Sequence, residues 1–201
     1  MPPARASRQP VMREYDQIAE WYTATRNPEI GMADVAAFAR KLPPGARVLD
    51  IGCGDGVPVS RYLVCEGFEV VAVDSSAEMV ARFRANLPGV DARCERIQDA
   101  HFAPHSFVGV VAWGVLFHLA RADQRATLHN VSRWLKPGGR FLFTSGDEND
   151  TREGEMNGVA FHYTSLDVTG YRRSLADTGL RLEDVHRDGW DNVAYLATKE
   201  T

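Results

Sequence analysis

The stretch Val48–Ser60, VLDIGCGDGVPVS, holds the residue types with the clearest chemical meaning. An apolar run leads into Asp50, and Gly52, Gly54 and Gly56 follow at every second position. Glycines directly after a strand let the backbone approach a ligand closely. A dinucleotide site spaces its glycines as G-x-G-x-x-G and turns a helix N-terminus toward a pyrophosphate. Here the spacing is G-x-G-x-G, and the Asp50 carboxylate, two positions before the first glycine, would repel a pyrophosphate. That carboxylate can instead hydrogen-bond an ammonium group, directly or through water. The pattern argues for a nucleoside that carries positive charge. Asp74 closes the next apolar run, 24 residues after Asp50.

Other reactive side chains are sparser. His118 in WGVLFHL and the pair His162-Tyr163 in GVAFHYTS are candidates for accepting a proton near neutral pH. Cys53, Cys65 and Cys94 are odd in number, lack C-x-x-C spacing and have no clustered His, so neither a disulfide framework nor a zinc site is suggested and no metal is assigned. Cys53 has no His near it in sequence and reads as a small packed residue rather than a nucleophile.

These residues need a frame, and the chain supplies one by alternation. After MPPARASRQP, expected to be a disordered tail over 1–13, Tyr15, Ile18, Ala19 and Tyr22 form an amphipathic helical stripe. A second helix is expected over 32–41, and the two make an N-terminal cap over 14–41. Val48–Ile51 reads as a buried strand, 57–66 as a helix, and FEVVAVD (68–74) as a parallel strand covered on both faces. Ser75 with Glu78 reads as a capping box opening the next helix. Strands follow near 90–95, at 107–114 and at 140–146. A helix lies between the last two with Leu128, Val131 and Leu135 on one face, and KPGG breaks it. An acidic segment over 147–163 reads as a solvated loop. A helix aligned on Val168, Tyr171 and Leu175 precedes two apolar stretches, 180–186 and 193–198, expected to pair antiparallel. Such an order implies one α/β domain over 14–201, a Rossmann-like doubly wound sheet of about seven strands, mostly parallel with an antiparallel C-terminal strand and helices on both faces. At 201 residues the chain can bury about 70% of the surface its unfolded form exposes.

VLDIGCGDG followed by the acidic residue in VVAVDSS resembles motifs I and II of the class I S-adenosylmethionine-dependent methyltransferases. RIQDAHF resembles the adenine loop of that family, and LKPGGRFLF the turn into its fifth strand. The resemblance implies S-adenosyl-L-methionine as cofactor and S-adenosyl-L-homocysteine as product. It implies that backbone at Gly52, Cys53 and Gly54 approaches the methionyl part while Asp50 helps to hold its amino group. Asp74 would accept both ribose hydroxyls, suiting a group with two acceptor oxygens. Ser75 and Met79 would border the adenine, Asp99 with Gln98 and Ala100 would bind its edge, Tyr22 would close the site and Trp113 would line it. Two positions depart from the family pattern: Val108 stands where an acidic residue is usual after Phe107, and Gly114 replaces an acidic or polar residue at the end of that strand.

Methyl transfer from a sulfonium is an in-line displacement, helped mainly by alignment and exclusion of water, with a base where the acceptor carries a proton. His162 and Tyr163 close 147–163, where an acceptor-side insertion is expected, and are expected to face the acceptor. His118, after Leu116 and Phe117, is expected to be packed in the core. With a net charge of −4 and 23 scattered basic residues, almost all Arg, nucleic acid is not an expected partner. No run approaches the ~18 apolar residues of a membrane span. A small-molecule acceptor and a cytoplasmic setting are expected, and the sequence carries no mark of oligomeric state. A cofactor-binding module without catalysis and a nicotinamide-dependent oxidoreductase are the competing readings.

Overall fold

The computed structural model describes residues 14–201; the tail expected over 1–13 lies outside the described residues. Two helices, α1 (Glu14–Thr25) and α2 (Met32–Ala39), precede β1 (Arg47–Ile51). Alternation then runs through α3 (Val59–Cys65), β2 (Glu69–Asp74), α4 (Ala77–Asn86), β3 (Asp91–Cys94) and β4 (Phe107–Ala112). After a 3₁₀ turn at Leu116–His118 come α5 (Arg121–Trp134), β5 (Leu135–Ser145), β6 (Asp150–Met156), β7 (Val159–Ser165), α6 (Val168–Ala176), β8 (Leu180–Arg187) and β9 (Val193–Lys199).

Seven strands form one sheet in the order β3-β2-β1-β4-β5-β9-β8. β1 through β5 pair in parallel, and β9 runs antiparallel to both neighbours. Two parallel strands cannot be joined by a tight turn, so the antiparallel β9 is what allows β8 and β9 to be linked by only five residues. The order reverses between β1 and β4, and the carboxyl ends of those strands diverge there into a crevice.

Alternation along each strand divides the core. Leu49, Ile51, Val71, Val73, Val110 and Phe143 face one layer, packed on Leu128, Val131 and Trp134 of α5 and on Tyr171 and Leu175 of α6. Val48, Val70, Val111 and Leu142 face the other, against Val35 and Phe38 of α2 and Leu63 of α3. Leu135, expected on the helical stripe, is fully buried at the start of β5 instead, because the helix ends at Trp134. The cap of α4 is also one residue later than its sequence suggests: Ser76, not Ser75, accepts the Met79 amide at 3.1 Å. Ser76 Oγ in turn donates to Asp16 of α1 at 2.5 Å, so the first helix is tied to the start of the fourth.

The acidic segment is not a loop. β6 and β7 pair antiparallel as a separate two-stranded hairpin, turning at Asn157-Gly158, both with positive φ. Its position is set from within: Gln124 of α5, completely buried, donates through Nε2 to the Thr164 carbonyl at 2.6 Å and accepts from the Tyr171 hydroxyl at 2.6 Å. Burying a polar amide without partners would cost about 1–3 kcal/mol, so this satisfied network fixes the hairpin against the body. Among the described residues no helix is long and apolar enough to cross a membrane.

Candidate functional site

The turn after β1 is built by two amides and a carboxylate. Gly52 and Cys53 both donate to the Val73 carbonyl, at 2.8 and 3.2 Å, which folds the chain back over the end of β2. Asp74 accepts from the Gly54 amide through Oδ2 (2.9 Å) and from the Ser76 amide through Oδ1 (2.8 Å). Gly52 and Gly54 take left-handed φ values of +69° and +55°, a conformation that penalises any Cβ. Their surroundings differ. A Cβ on Gly52 would stand 2.6 Å from the Val115 side chain, whereas one on Gly54 would meet nothing closer than Arg26 Nη1 at 4.0 Å. The space beside Gly54 is open because it belongs to a cavity.

That cavity, of about 590 Å³, lies at the carboxyl ends of β1, β2 and β4. It is bordered by Asp50, Gly52, Cys53, Gly54, Asp74, Ser75, Met79, Gln98, Trp113, Tyr22 and Tyr163, all singled out from the sequence, and by His118. Of the segment expected to hold the adenine, Gln98 borders the cavity together with Arg96 and Ile97, while Asp99 is exposed outside it and Ala100 is packed in the core. The 3₁₀-like turn in which the Asp99 amide bonds the Arg96 carbonyl swings Asp99 away.

Both candidate histidines border the cavity, but they sit differently in its wall. β7 alternates, so Phe161, 2% exposed, and Tyr163 face inward and His162 faces outward. Although His162 touches the cavity rim, its side chain is 70% exposed and its Nδ1 sits 3.5 Å from Glu153, its partner across the hairpin. His162 therefore meets the cavity only at its rim, while Tyr163 beside it turns inward. His118, expected to be only packed, has its ring in the cavity wall among Phe117, Tyr163 and Tyr15 at centroid distances of 4.7, 5.1 and 5.5 Å. Burial pushes its imidazole down to about 4, and a weaker opposing influence comes from the backbone of His162.

Electrostatics in the cofactor-side turn favour a cation. Asp50 is 2% exposed, accepts from Ser60 Oγ at 2.6 Å, and is pushed up to about 7, chiefly by burial and further by the nearby Asp74, with the Ser60 bond opposing. Burial also raises Asp74, against the pull of the backbone amides of Ser76, Gly54 and Ser75. Cys53 is buried, and its thiol is pushed well above the ordinary range by that burial, which keeps it from acting as a nucleophile near neutral pH.

A ligand ammonium beside Asp50 binds its ionised form, so binding releases the proton that the empty site holds below about pH 7. Calorimetric titration with S-adenosylhomocysteine is expected to show affinity rising with pH up to about 7 and flattening about a unit above. The limiting slope is about tenfold per pH unit. Asp50→Asn should abolish that slope; a pH-independent affinity in the wild type would refute the role of Asp50. The raised value has the opposite sign for the empty fold, which loses stability between about pH 4 and 7 because it retains a proton that the unfolded chain has released.

Several bordering residues carried no sequence signal. Arg26 follows α1, pairs with Asp55 at 3.1 Å and lies 5.5 Å over the Tyr22 ring. Tyr15 reads in the sequence only as part of an apolar stripe, and Val115 and Phe117 only as part of an apolar run. The Val108 and Gly114 departures are accommodated: Val108 packs on the α2–α3 side of the sheet, and the Gly114 amide donates to Thr144 Oγ1 at 2.8 Å. A second cavity of about 490 Å³ adjoins the first, sharing Phe117, Tyr163, Thr164 and Asn192 with it.

Residues 48–139 match the family model of a methyltransferase domain. Ubiquinone biosynthesis O-methyltransferase of Xanthomonas axonopodis pv. citri (strain 306) is 36% identical over 181 residues, covering 80% of this chain and 74% of that protein. Phosphoethanolamine N-methyltransferase 1 of Arabidopsis thaliana is 28% identical over 181 residues, covering 85% of this chain and 36% of that protein. Among solved structures, the CcbJ methyltransferase of Streptomyces caelestis superposes with a TM-score of 0.78 at 17% identity, covering 96% of this chain and all of that one. The 1,6-didemethyltoxoflavin-N1-methyltransferase of Burkholderia thailandensis, solved with 1,6-didemethyltoxoflavin and S-adenosylhomocysteine bound, gives 0.74 at 18% identity, covering 99% of this chain and 94% of that one.

Proposed function

Because the chain belongs to the class I S-adenosylmethionine-dependent methyltransferases, we propose that its cavity is where a methyl group passes in line from the cofactor sulfonium to a small-molecule acceptor. The observation that carries this is the open space beside Gly54, enclosed by the Gly52–Gly54 turn, by Asp50 and by Asp74. Asp50 holds the cofactor's amino group, the turn lies along its methionyl part, and Asp74 takes the ribose hydroxyls. Ser75, Met79 and Gln98 surround the adenine, and Tyr22 and Trp113 close over the bound molecule. The cofactor supplies an activated methyl group. The residues contribute orientation and a dry wall, the two things an in-line displacement needs most.

The acceptor occupies the side bordered by Phe117, His118 and Tyr163 and extends toward the second cavity. Its small size is supported by the enclosure that α1 and the β6–β7 hairpin give this space. It is supported also by the names of relatives, which include a ubiquinone-biosynthesis and a phosphoethanolamine methyltransferase. The three cysteines are unpaired, as suits the cytoplasm we assign it to.

Thermal denaturation tests the reading. S-adenosylhomocysteine at a hundred times its dissociation constant should stabilise the fold by about 2.7 kcal/mol, and NAD should not. Stabilisation by NAD alone would overturn the assignment of the cavity.

A further inference from the structure

Two side chains 103 residues apart meet in the wall of the cavity: the Tyr15 hydroxyl lies 3.1 Å from Nε2 of His118. Both border the cavity. The imidazole has little freedom, since Tyr15 meets it edge-on at 87° and Phe117, Phe161 and Tyr163 lie tilted against it at 4.7 to 5.6 Å. Its other nitrogen, Nδ1, is buried without a hydrogen bond of good geometry and feels only the backbone of His162.

A neutral imidazole has one N–H and one lone pair. Burial keeps His118 neutral, and it keeps Tyr15 a phenol; Tyr22, Tyr163 and Asp74 push Tyr15 the same way, with Arg26 opposing. A phenol beside a neutral imidazole nitrogen is the better donor, so the lone pair sits on Nε2 beneath the Tyr15 proton and the ring proton sits on Nδ1. Neither nitrogen is then open to a molecule in the cavity.

We propose that Tyr15 is a positioning residue of the methyl-transfer site: its hydroxyl donates to His118 Nε2, fixes the Nδ1–H tautomer and prevents His118 from acting as the acceptor's base. The inference rests on reading the cavity as the methyl-transfer site, and it narrows the acceptor class. An acceptor facing this wall brings its own free lone pair, as an unprotonated amine or an already ionised oxygen does. An alcohol that needed His118 to take its proton would not be served.

The test reads the ring directly. Long-range proton–nitrogen NMR spectra of ¹⁵N-labelled protein, with the His118 signals assigned by their loss in His118→Asn, are recorded with and without S-adenosylhomocysteine between about pH 5 and 8, the range in which an ordinary histidine titrates. The wild type is expected to show a proton on Nδ1, an Nε2 resonance displaced by hydrogen bonding, and no titration. In Tyr15→Phe the Nε2 resonance should move to the free-imine position or the tautomer should change, a response that a purely structural role for Tyr15 would not produce. A proton on Nε2 in the wild type, or a His118 that titrates near an ordinary histidine, overturns the proposal without needing the variant to fold. If instead the tautomer is as expected but S-adenosylhomocysteine leaves the wild-type melting temperature unchanged, the methyl-transfer reading fails and the positioning role falls with it.

Discussion

Asp74→Ala is expected to bind S-adenosylhomocysteine about 10- to 100-fold more weakly than the wild type, the loss that follows when a charged acceptor no longer meets its donors, about 1.5–3 kcal/mol. The structure adds a second expected loss. Asp74 also accepts the amides of Gly54 and Ser76, and removing both acceptor oxygens leaves those donors to water or to nothing. Each amide left buried and unpaired costs about 1–3 kcal/mol. Asp74→Asn separates the two effects, because its single carbonyl oxygen can still serve one amide while its NH₂ cannot accept a ribose hydroxyl. Calorimetry should therefore show both variants weakened for the ligand, and chemical denaturation should show the asparagine variant the more stable of the two. Wild-type affinity in either folded variant would remove Asp74 from the cofactor site.

Gly52→Ala is expected to destabilise the fold by about 2–5 kcal/mol, the sum of about 1–2 for a side chain at positive φ and about 1–3 for overpacking. The clash is with Val115, whose side chain stands 2.6 Å from where the new Cβ would be. In a domain of this size that corresponds to a melting temperature lower by about 4–20 °C. Gly54→Ala gives the useful contrast. It carries the backbone strain without the clash, since only Arg26 lies as near as 4.0 Å, so it should lose less stability and more ligand affinity. Differential scanning calorimetry on the two variants, with and without S-adenosylhomocysteine, measures both. Equal stability losses would mean that the turn is not wedged against Val115.

The parts of the molecule that the sequence specifies are those governed by neighbours in the chain. Strand and helix alternate because apolar residues recur at the periods those elements impose. Asp50, Gly52, Gly54 and Asp74 fall at the ends of β1 and β2, and strand ends are where an α/β sheet presents its ligands. The glycine spacing and the Asp50 carboxylate together were enough to disfavour a pyrophosphate. The cap of α4 lies one position from Ser75, at Ser76, and in the adenine loop it is Gln98 rather than its neighbour Asp99 that borders the cavity. Both differences arise because a cap or turn is settled by local backbone angles that residue types leave free by about a residue.

The acceptor side was decided by tertiary structure. The segment 147–163 reads as a charged loop because its polar residues face solvent on both sides of β6, and only pairing with β7 makes it a hairpin. Once it pairs, the pleat decides which of two adjacent residues points inward, and Tyr163 does so at the expense of His162. No periodicity within α1 distinguishes Tyr15 from the other apolar residues of its stripe. Its role comes from a contact with His118 across 103 residues, as that of Arg26 comes from Asp55 across 29. A motif is written by residues that must follow one another along the chain to build a turn, so one sequence is enough to read it. A wall assembled from a helix, a 3₁₀ turn and a hairpin is determined by how those elements pack, and packing depends on shape and burial that no single segment contains.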